Sequence, residues 1–418
     1  MTCVYKYILN DNNIKQELLR LCGVSKCLYN QALYAVKQSL DNNEGFLSYA
    51  YLDKHMQSTF NLEGEINYRL LKAQVSQQCL RVLDKNIKSY IKSIKDYKKH
   101  PEKYNGMPKL PNYKGKINQL IYTNQCCRIT KDGILKFSKH ITTKIPQFDK
   151  YRKALLGFQQ VRVNPLYKGD VIEIEILYNT PDCEPCNNKN IAGIDLGLGN
   201  LVTMVTNVDK PLIINGNPLK SYNQCFNKHL SNVKSELELV NKYKSSKRIR
   251  SMYVKRDRYL NDMYHKISRY IVDYLSDRGI STLVVGLNKG WKDSINIGSS
   301  NNQAFNSISH GRLIDMLRYK CKIAGITFIL NEESYTSKCD GLCLEEICKH
   351  ESYSGKRIKR GLFRSGCSKV VNADVNGAFN ILQKVFGKSQ EILEIINRGW
   401  LFQPLKLNNL SVLSYSGL

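Results

Sequence analysis

The chain has 418 residues, with 63 Lys and Arg against 36 Asp and Glu, a net charge of +27 and a hydrophobic share of 42%. These values exclude global disorder and leave room for two to four domains with real cores. No apolar run approaches the ~20 residues of a membrane span, the N-terminal MTCVYKYILNDNN lacks the pattern of a signal peptide, and no amphipathic anchor or lipidation motif favours a basic peripheral membrane protein. The charge excess suits a polyanionic partner and 26 Tyr offer stacking surfaces for bases, while 14 Cys without secretory context read as reduced intracellular thiols.

In chain order, Val4 to Ile8 alternates like an edge strand, and Leu18, Leu19, Cys22, Leu28, Leu33 and Ala35 give Asn13 to Asp41 a helical period. A second helix is expected over Tyr68 to Tyr97, with Leu71, Val75, Cys79, Val82, Leu83, Ile87, Ile91 and Ile94 on its apolar stripe. Its other faces carry Lys85, Lys88, Lys92, Lys95, Lys98 and Lys99, and the lysines run on into the loop 100–116. A basic helix face is usually only solvated, but prolines and glycines hold this loop extended, and Lys109, Tyr113, Lys114 and Lys116 suit phosphate contact with base stacking. Strands are expected over 119–122, 134–137, 160–163 and 171–178, as a small barrel or sheet joined by the first strand, which makes 11–100 a helical insertion. Cys183 and Cys186 form a lone C-x-x-C in the following linker, a spacing more often incidental than half a zinc site.

The stretch Ile191 to Thr206 reads as a strand, a glycine turn and a second strand. Alternation places Asp195 among Gly193, Gly197 and Gly199, so a metal ion and a phosphate could approach it. A third strand at 211–214 precedes a strongly basic helical region over about 218–278, in which Arg248, Arg250, Lys255 and Arg256 stand out. A strand at 282–287, a helix at 312–324, a strand at 326–330, an irregular basic insertion at 336–369 and a last helix from Asn372 to Phe386 complete the order. Asn372 suits the N-cap of that helix, and Asp374, Ala378, Ile381 and Val385 share one face. An acid in the first turn can also serve only the helix dipole.

Three meandering strands, a helical region, a strand, a helix, a strand and a final helix is the element order of an RNase H-like fold. With Gly193-Ile-Asp-Leu-Gly197, Val284-Val-Gly-Leu-Asn-Lys-Gly-Trp-Lys292, Glu332-Glu-Ser-Tyr-Thr-Ser-Lys338, Gly355-Lys-Arg-Ile-Lys-Arg-Gly361 and Asn372-Ala-Asp-Val-Asn-Gly377, the chain resembles the insertion-sequence-encoded RNA-guided nucleases called TnpB and their eukaryotic and giant-virus relatives called Fanzor. The resemblance extends to Leu28-Tyr-Asn-Gln-Ala32 and to the loop 108–116. It implies an α/β multidomain protein: a RuvC-type nuclease core over 187–390 with a finger-like insertion at 336–370, a wedge-like N-terminal β-barrel from 1–10 and 101–182 interrupted by a recognition insertion at 11–100, and a tail at 391–418.

The same resemblance implies two Mg ions, replaceable by Mn, held by three carboxylates, the first Asp195 and the last Asp374. The middle acid, usually a Glu ending the strand at 283–287, is replaced by Gly286. Glu332 and Glu333 follow the next strand, and a branch of the family carries its acid just before Ser-Tyr-Thr-Ser. The expectation is therefore Glu333, with Glu332 in reserve, since adjacent residues of a regular strand face opposite ways. Many relatives also place two C-x-x-C pairs in the insertion. Here the interval holds Cys339, Cys343, Cys348 and Cys367 without such a pair, so zinc is the weaker expectation. Lys356, Arg357, Lys359 and Arg360 read as backbone contacts to nucleic acid. The implied activity is cutting of double-stranded DNA matched to an omega-type guide RNA beside a short flanking motif. The rivals are a non-cleaving RNA-guided DNA binder, favoured by Gly286, and a strand-transfer transposase. The expected location is cytoplasm or nucleoid in a prokaryote, nucleus or viral factory otherwise. The sequence does not fix monomer or dimer, guide or host.

Overall fold

The computed structural model describes residues 1–408 apart from 116, 182, 187, 242–244, 288–297, 299–301 and 304–305. Lys116 and most of the motif ending at Lys292 lie outside the described residues. The chain divides into two compact units, Met1–Pro181 and Asp182–Leu418.

In the first unit, β1 (Thr2–Ile8) is the edge of an antiparallel sheet ordered β1-β7-β6-β2, with β2 at Leu120–Thr123, β6 at Phe158–Leu166 and β7 at Val171–Asn179. Among the described residues these hydrogen bonds leave the sheet open rather than closing it as a barrel. A second sheet pairs β3 (Arg128–Ile129), β4 (Ile134–Lys136) and β5 (Thr142–Lys144). Helix α1 (Asn12–Asp41) starts where the Asp11 side chain accepts from the amides of Asn13 and Ile14. Its buried face shares one core with α3 (Ala73–Lys99) and the larger sheet. The second helix begins at Ala73 rather than Tyr68, because the Tyr68 carbonyl accepts from the Ser76 hydroxyl and the chain turns before Lys72. Helices α2 (Tyr49–Met56) and α4 (Phe148–Leu156) escape a sequence reading. Each buries only two side chains, Leu52 and Met56 or Phe148 and Leu155, which is too few to display a period.

The second unit is a six-stranded mixed sheet in the order β12-β11-β8-β9-β10-β16. Strands β8 (Ile191–Leu196), β9 (Asn200–Thr206) and β10 (Leu212–Asn215) form an antiparallel meander, and β11 (Thr282–Gly286) and β12 (Thr327–Asn331) add parallel to β8. One face carries α6 (Lys247–Asp277) and α7 (His310–Ile323) over Ala192, Ile194, Leu283 and Val285. The other carries α8 (Ala373–Phe386) over Ile191, Val205, Ile213 and Val284. The basic region expected as one helix is two, α5 (Asn217–Asn241) and α6, whose start is capped by Ser246 accepting from the Ile249 amide. The insertion holds a small sheet of β13 (Lys356–Lys359), β14 (Leu362–Arg364) and β15 (Val370–Asn372). The segment from 391 to 408 is not a loose tail. Helix α9 (Gln390–Asn397) buries Ile392 and Ile395, and β16 (Leu405–Leu407) pairs parallel to β10.

Helix α8 lies very close to β8. A Cβ at Gly193 would stand 2.5 Å from Leu382 Cγ and 2.9 Å from the Ala378 carbonyl oxygen. Gly193→Val is therefore expected to destabilise the protein by about 1–3 kcal/mol through overpacking. A urea melt followed by circular dichroism tests this, and an unchanged midpoint would refute the close approach.

Candidate active site

Asp195 is the fifth residue of β8 and lies opposite Thr203 of β9. Asp374 stands in the first turn of α8, which Asn372 caps by accepting from the amides of Asp374 and Val375. The helix backbone passes directly over Asp195: a Cβ at Gly377 would meet Asp195 Oδ2 at 2.6 Å. Glu333 follows the end of β12 by two residues, and its Oε2 lies 2.7 Å from where a Cβ at Gly286 would stand. The missing side chain on β11 is thus space shared by the Ile381 side chain, at 2.5 Å, and the Glu333 carboxylate. Sheet register makes this possible. Gly286 is paired with Asn331, and Val285 with Ile194, so the ends of β8, β11 and β12 lie side by side.

The three acids feel one another. Burial pushes the Asp195 carboxyl up to about 8, the charges of Glu333 and Asp374 push the same way, and Arg357 opposes them. Asp374 is gripped from both sides, by Asn200 Nδ2 donating to Oδ2 at 2.7 Å and by the Arg357 guanidinium 3.5 Å from Oδ1. Glu332 is elsewhere. It accepts from Lys384 Nζ at 2.9 Å and from Ser334 Oγ at 2.8 Å, and these bonds hold its carboxyl below the usual range. Strand alternation is not what separates the two glutamates, because β12 stops at Asn331 and the chain then turns.

The cysteines of the insertion fall into two pairs. Cys339 Sγ points to the Cys348 carbonyl, Cys348 lies beside His350 Nε2 at 3.4 Å, and Cys343 and Cys367 both contact Ser365 Oγ. Among the described residues no three His, Cys, Asp or Glu side chains, these cysteines and the three acids included, stand close enough to hold one metal ion as placed.

Of the basic residues singled out in the sequence, Lys88, Lys92, Lys95, Lys98 and Lys99 form an exposed face of α3, with Lys88 paired to Asp84. Lys109 is exposed. Tyr113 and Lys114 sit on α1: the Asn30 side chain accepts from the Lys114 amide at 2.7 Å and donates to its carbonyl at 2.9 Å, while Lys37 Nζ stands 4.1 Å from the centre of the Tyr113 ring. Lys255 is exposed, Arg248 pairs with Glu236, and Arg250 is half-buried. Arg256 needs correction as a nucleic-acid contact. Its guanidinium turns inward to Asn223 Oδ1, the Ser307 carbonyl and the Phe226 ring. Lys356, Lys359 and Arg360 are exposed on the insertion. Two contributors at the acids were not foreseen: Asn200, and Arg357 in this position. Asn200 lies just past the glycine turn, across the hairpin from Asp195, but no local pattern marks an asparagine as the partner of an acid 174 residues away.

The fold and the acids together define a mixed α/β protein with a carboxylate site at the ends of three neighbouring strands. Residues 175–292 match the family model described as a probable transposase, OrfB_IS605, and residues 310–381 match the Cas12f1-like TNB domain. A TnpB-like protein, ORF457, of Acidianus two-tailed virus is 24% identical over 229 residues, which are 53% of this chain and 46% of that protein. The chain thus spans about half the length of this viral relative. The solved structure of Cas12f1 in complex with sgRNA and target DNA shares the fold, with a TM-score of 0.51 at 14% identity over 89% of this chain and 83% of that one. Over these segments the chain is similar to TnpB-like and Cas12f1-like proteins.

An acid raised in the folded state favours folding only while protonated. An unfolded Asp titrates near ~3.9, so metal-free stability falls as pH rises from about 4 toward 8. Asp195→Asn removes this effect. In chelator the variant is expected to exceed wild type by about 1–3 kcal/mol at pH 8 to 9, with no gain near pH 4. Thermal midpoints across that range test it, and a gain independent of pH would contradict the assignment.

Proposed function

We propose that this protein is an RNA-guided, divalent-metal-dependent DNA endonuclease associated with a transposable element, with an RNase H-like, RuvC-type core. One observation carries the reading: the Glu333 carboxylate occupies the space above Gly286, beside Asp195. In this reading Glu333, just after β12, stands in for the acid missing from β11, which favours an active enzyme over a silent binder.

Magnesium fits this donor set. The three acids are hard oxygen ligands, and their mutual repulsion, seen in the raised Asp195, is relieved by a cation. Among the described residues the acids do not stand close enough to hold one ion as placed, so a bound magnesium would keep part of its water shell. Asp195, Glu333 and Asp374 would hold the metal, which when bound supplies an activated water and stabilises the leaving oxygen of a phosphodiester. The chain's own groups do the positioning. Asn200 fixes the rotation of the Asp374 carboxylate. Arg357, now on Asp374, is placed to take a phosphate oxygen of the incoming strand. Lys384 keeps Glu332 away from the acids.

The exposed lysine face of α3 and the segment carrying Lys109, Tyr113 and Lys114 are the proposed nucleic-acid contacts of the first unit. Guide pairing would read the target sequence, and the protein a short flanking motif. The family description as a probable transposase supports strand transfer as a second reading, and joined DNA ends among the products would favour it.

Glu333→Gln is expected to lower cutting of guide-matched DNA by two orders of magnitude or more, roughly 3 kcal/mol of barrier, while target binding persists. Glu332→Gln should cut nearly as wild type. Equal cutting by both variants would overturn the relocation. Asp195→Ala and Asp374→Ala should likewise stop cutting and retain RNA, and loss of RNA binding would assign them a structural role. The protein should copurify with a structured RNA whose affinity falls steeply with salt. A monodisperse, nucleic-acid-free preparation at moderate salt would oppose the guide-RNA reading.

A further inference from the structure

The insertion between β12 and α8 is where the sequence resemblance raises a structural zinc, yet its cysteines split here into Cys339 beside Cys348 and Cys343 with Cys367 around Ser365. What joins the turns is a carboxylate. Asp340 is wholly buried, and its carboxyl accepts from three backbone amides and a serine hydroxyl, with the Cys343 thiol also bonded to it. Its Oδ1 accepts from the amides of Leu342 at 3.1 Å and Cys343 at 3.4 Å, within its own turn. Its Oδ2 accepts from Ser365 Oγ at 2.6 Å and the Gly366 amide at 2.7 Å, across to the second turn. Cys343 and Cys367 close around the same hydroxyl, at 3.3 Å and 3.2 Å from Ser365 Oγ.

We propose that Asp340 and Ser365 form a metal-free lock that stands where a structural zinc ion would otherwise tie the two turns together. A buried carboxyl whose two oxygens accept from two different turns crosslinks them. In a zinc knuckle the thiolate accepts the amides two and three residues ahead while the metal reaches the other turn. Asp340 performs both tasks, one with each oxygen. Zinc does not fit this set. A neutral serine hydroxyl is a poor ligand beside thiolate or imidazole, and an ion on Oδ2 would displace both cross-turn bonds.

The lock has a purpose in the fold. The backbone between the two turns includes β13, which carries Arg357 to Asp374. The first turn is also tied to α8, through the Gly341 amide donating to Asn376 Oδ1 and through Asn376 and Asn380 donating to the Cys339 carbonyl. Holding the turns together therefore holds Arg357 over the acids without a second metal.

The test uses the full chain. After dialysis against a zinc chelator, elemental analysis of the wild type is expected to find substoichiometric zinc, with the thermal midpoint unchanged by the chelator. Asp340→Asn and Ser365→Ala should lower that midpoint by roughly 5 °C or more and open the 339–368 segment to limited proteolysis, again without response to zinc. The double variant Asp340→Cys/Ser365→Cys places new thiols beside Cys343 and Cys367. It should take up one zinc per chain and recover its midpoint only when zinc is supplied. A wild type that keeps one zinc per chain and loses stability to the chelator would overturn the lock. So would single variants with unchanged proteolysis, or a double variant that ignores zinc.

Discussion

Close approach of one helix to one sheet is the constraint on which this protein's site depends. Helix α8 can carry Asp374 to Asp195 only because β8 presents Gly193 beneath it and the helix presents Gly377 above the carboxylate. A side chain at either place would lift the helix and separate the acids. The same economy of space operates on β11, where Gly286 leaves room for Ile381 of α8 and for Glu333. Absent side chains thus define the cluster as much as the acids do.

Packing like charges together has a cost, and the neighbours of the site offset it in different ways. Burial and two adjacent carboxylates raise Asp195, so in the absence of a cation it favours its neutral form. Asp374 accepts from the Asn200 amide and pairs with the Arg357 guanidinium. Glu332 is removed from the cluster by Lys384. One glutamate joins the acids, and its neighbour in sequence instead pairs with Lys384 near the far end of α8.

The insertion before α8 illustrates how a fold keeps a shape while changing its fastener. Two turns that a metal could join are joined by Asp340 and Ser365, and the hairpin between them still delivers Arg357. The first unit uses a comparable device. Asn30 of α1 makes a reciprocal pair of bonds to the backbone of Lys114, so an extended segment rich in proline and lysine is laid along a helix.

Much of this architecture was legible in the residues. Short apolar runs bounded by turn residues gave β8, β9 and β10, because strands covered on both faces are apolar throughout. The three- and four-residue period gave α1 and the end of α6, and the asparagine before Asp374 gave the start of α8, because an unpaired amide needs an acceptor. The acids themselves stood out through their motifs, and the absence of one at Gly286 pointed to a replacement nearby. Short helices such as α2 and α4 were silent, since two buried side chains make no period. The role of Asn200, the inward turn of Arg256, the strand β16 and the bond between Asp340 and Ser365 were silent too. Each joins residues far apart in the chain, from 25 between Asp340 and Ser365 to 193 between Leu212 and its partner Leu405. Local sequence determines which backbone shapes and side-chain chemistries are present. Only the tertiary structure decides which of them meet, because contact between distant residues is set by how sheets and helices pack, and no local pattern records it.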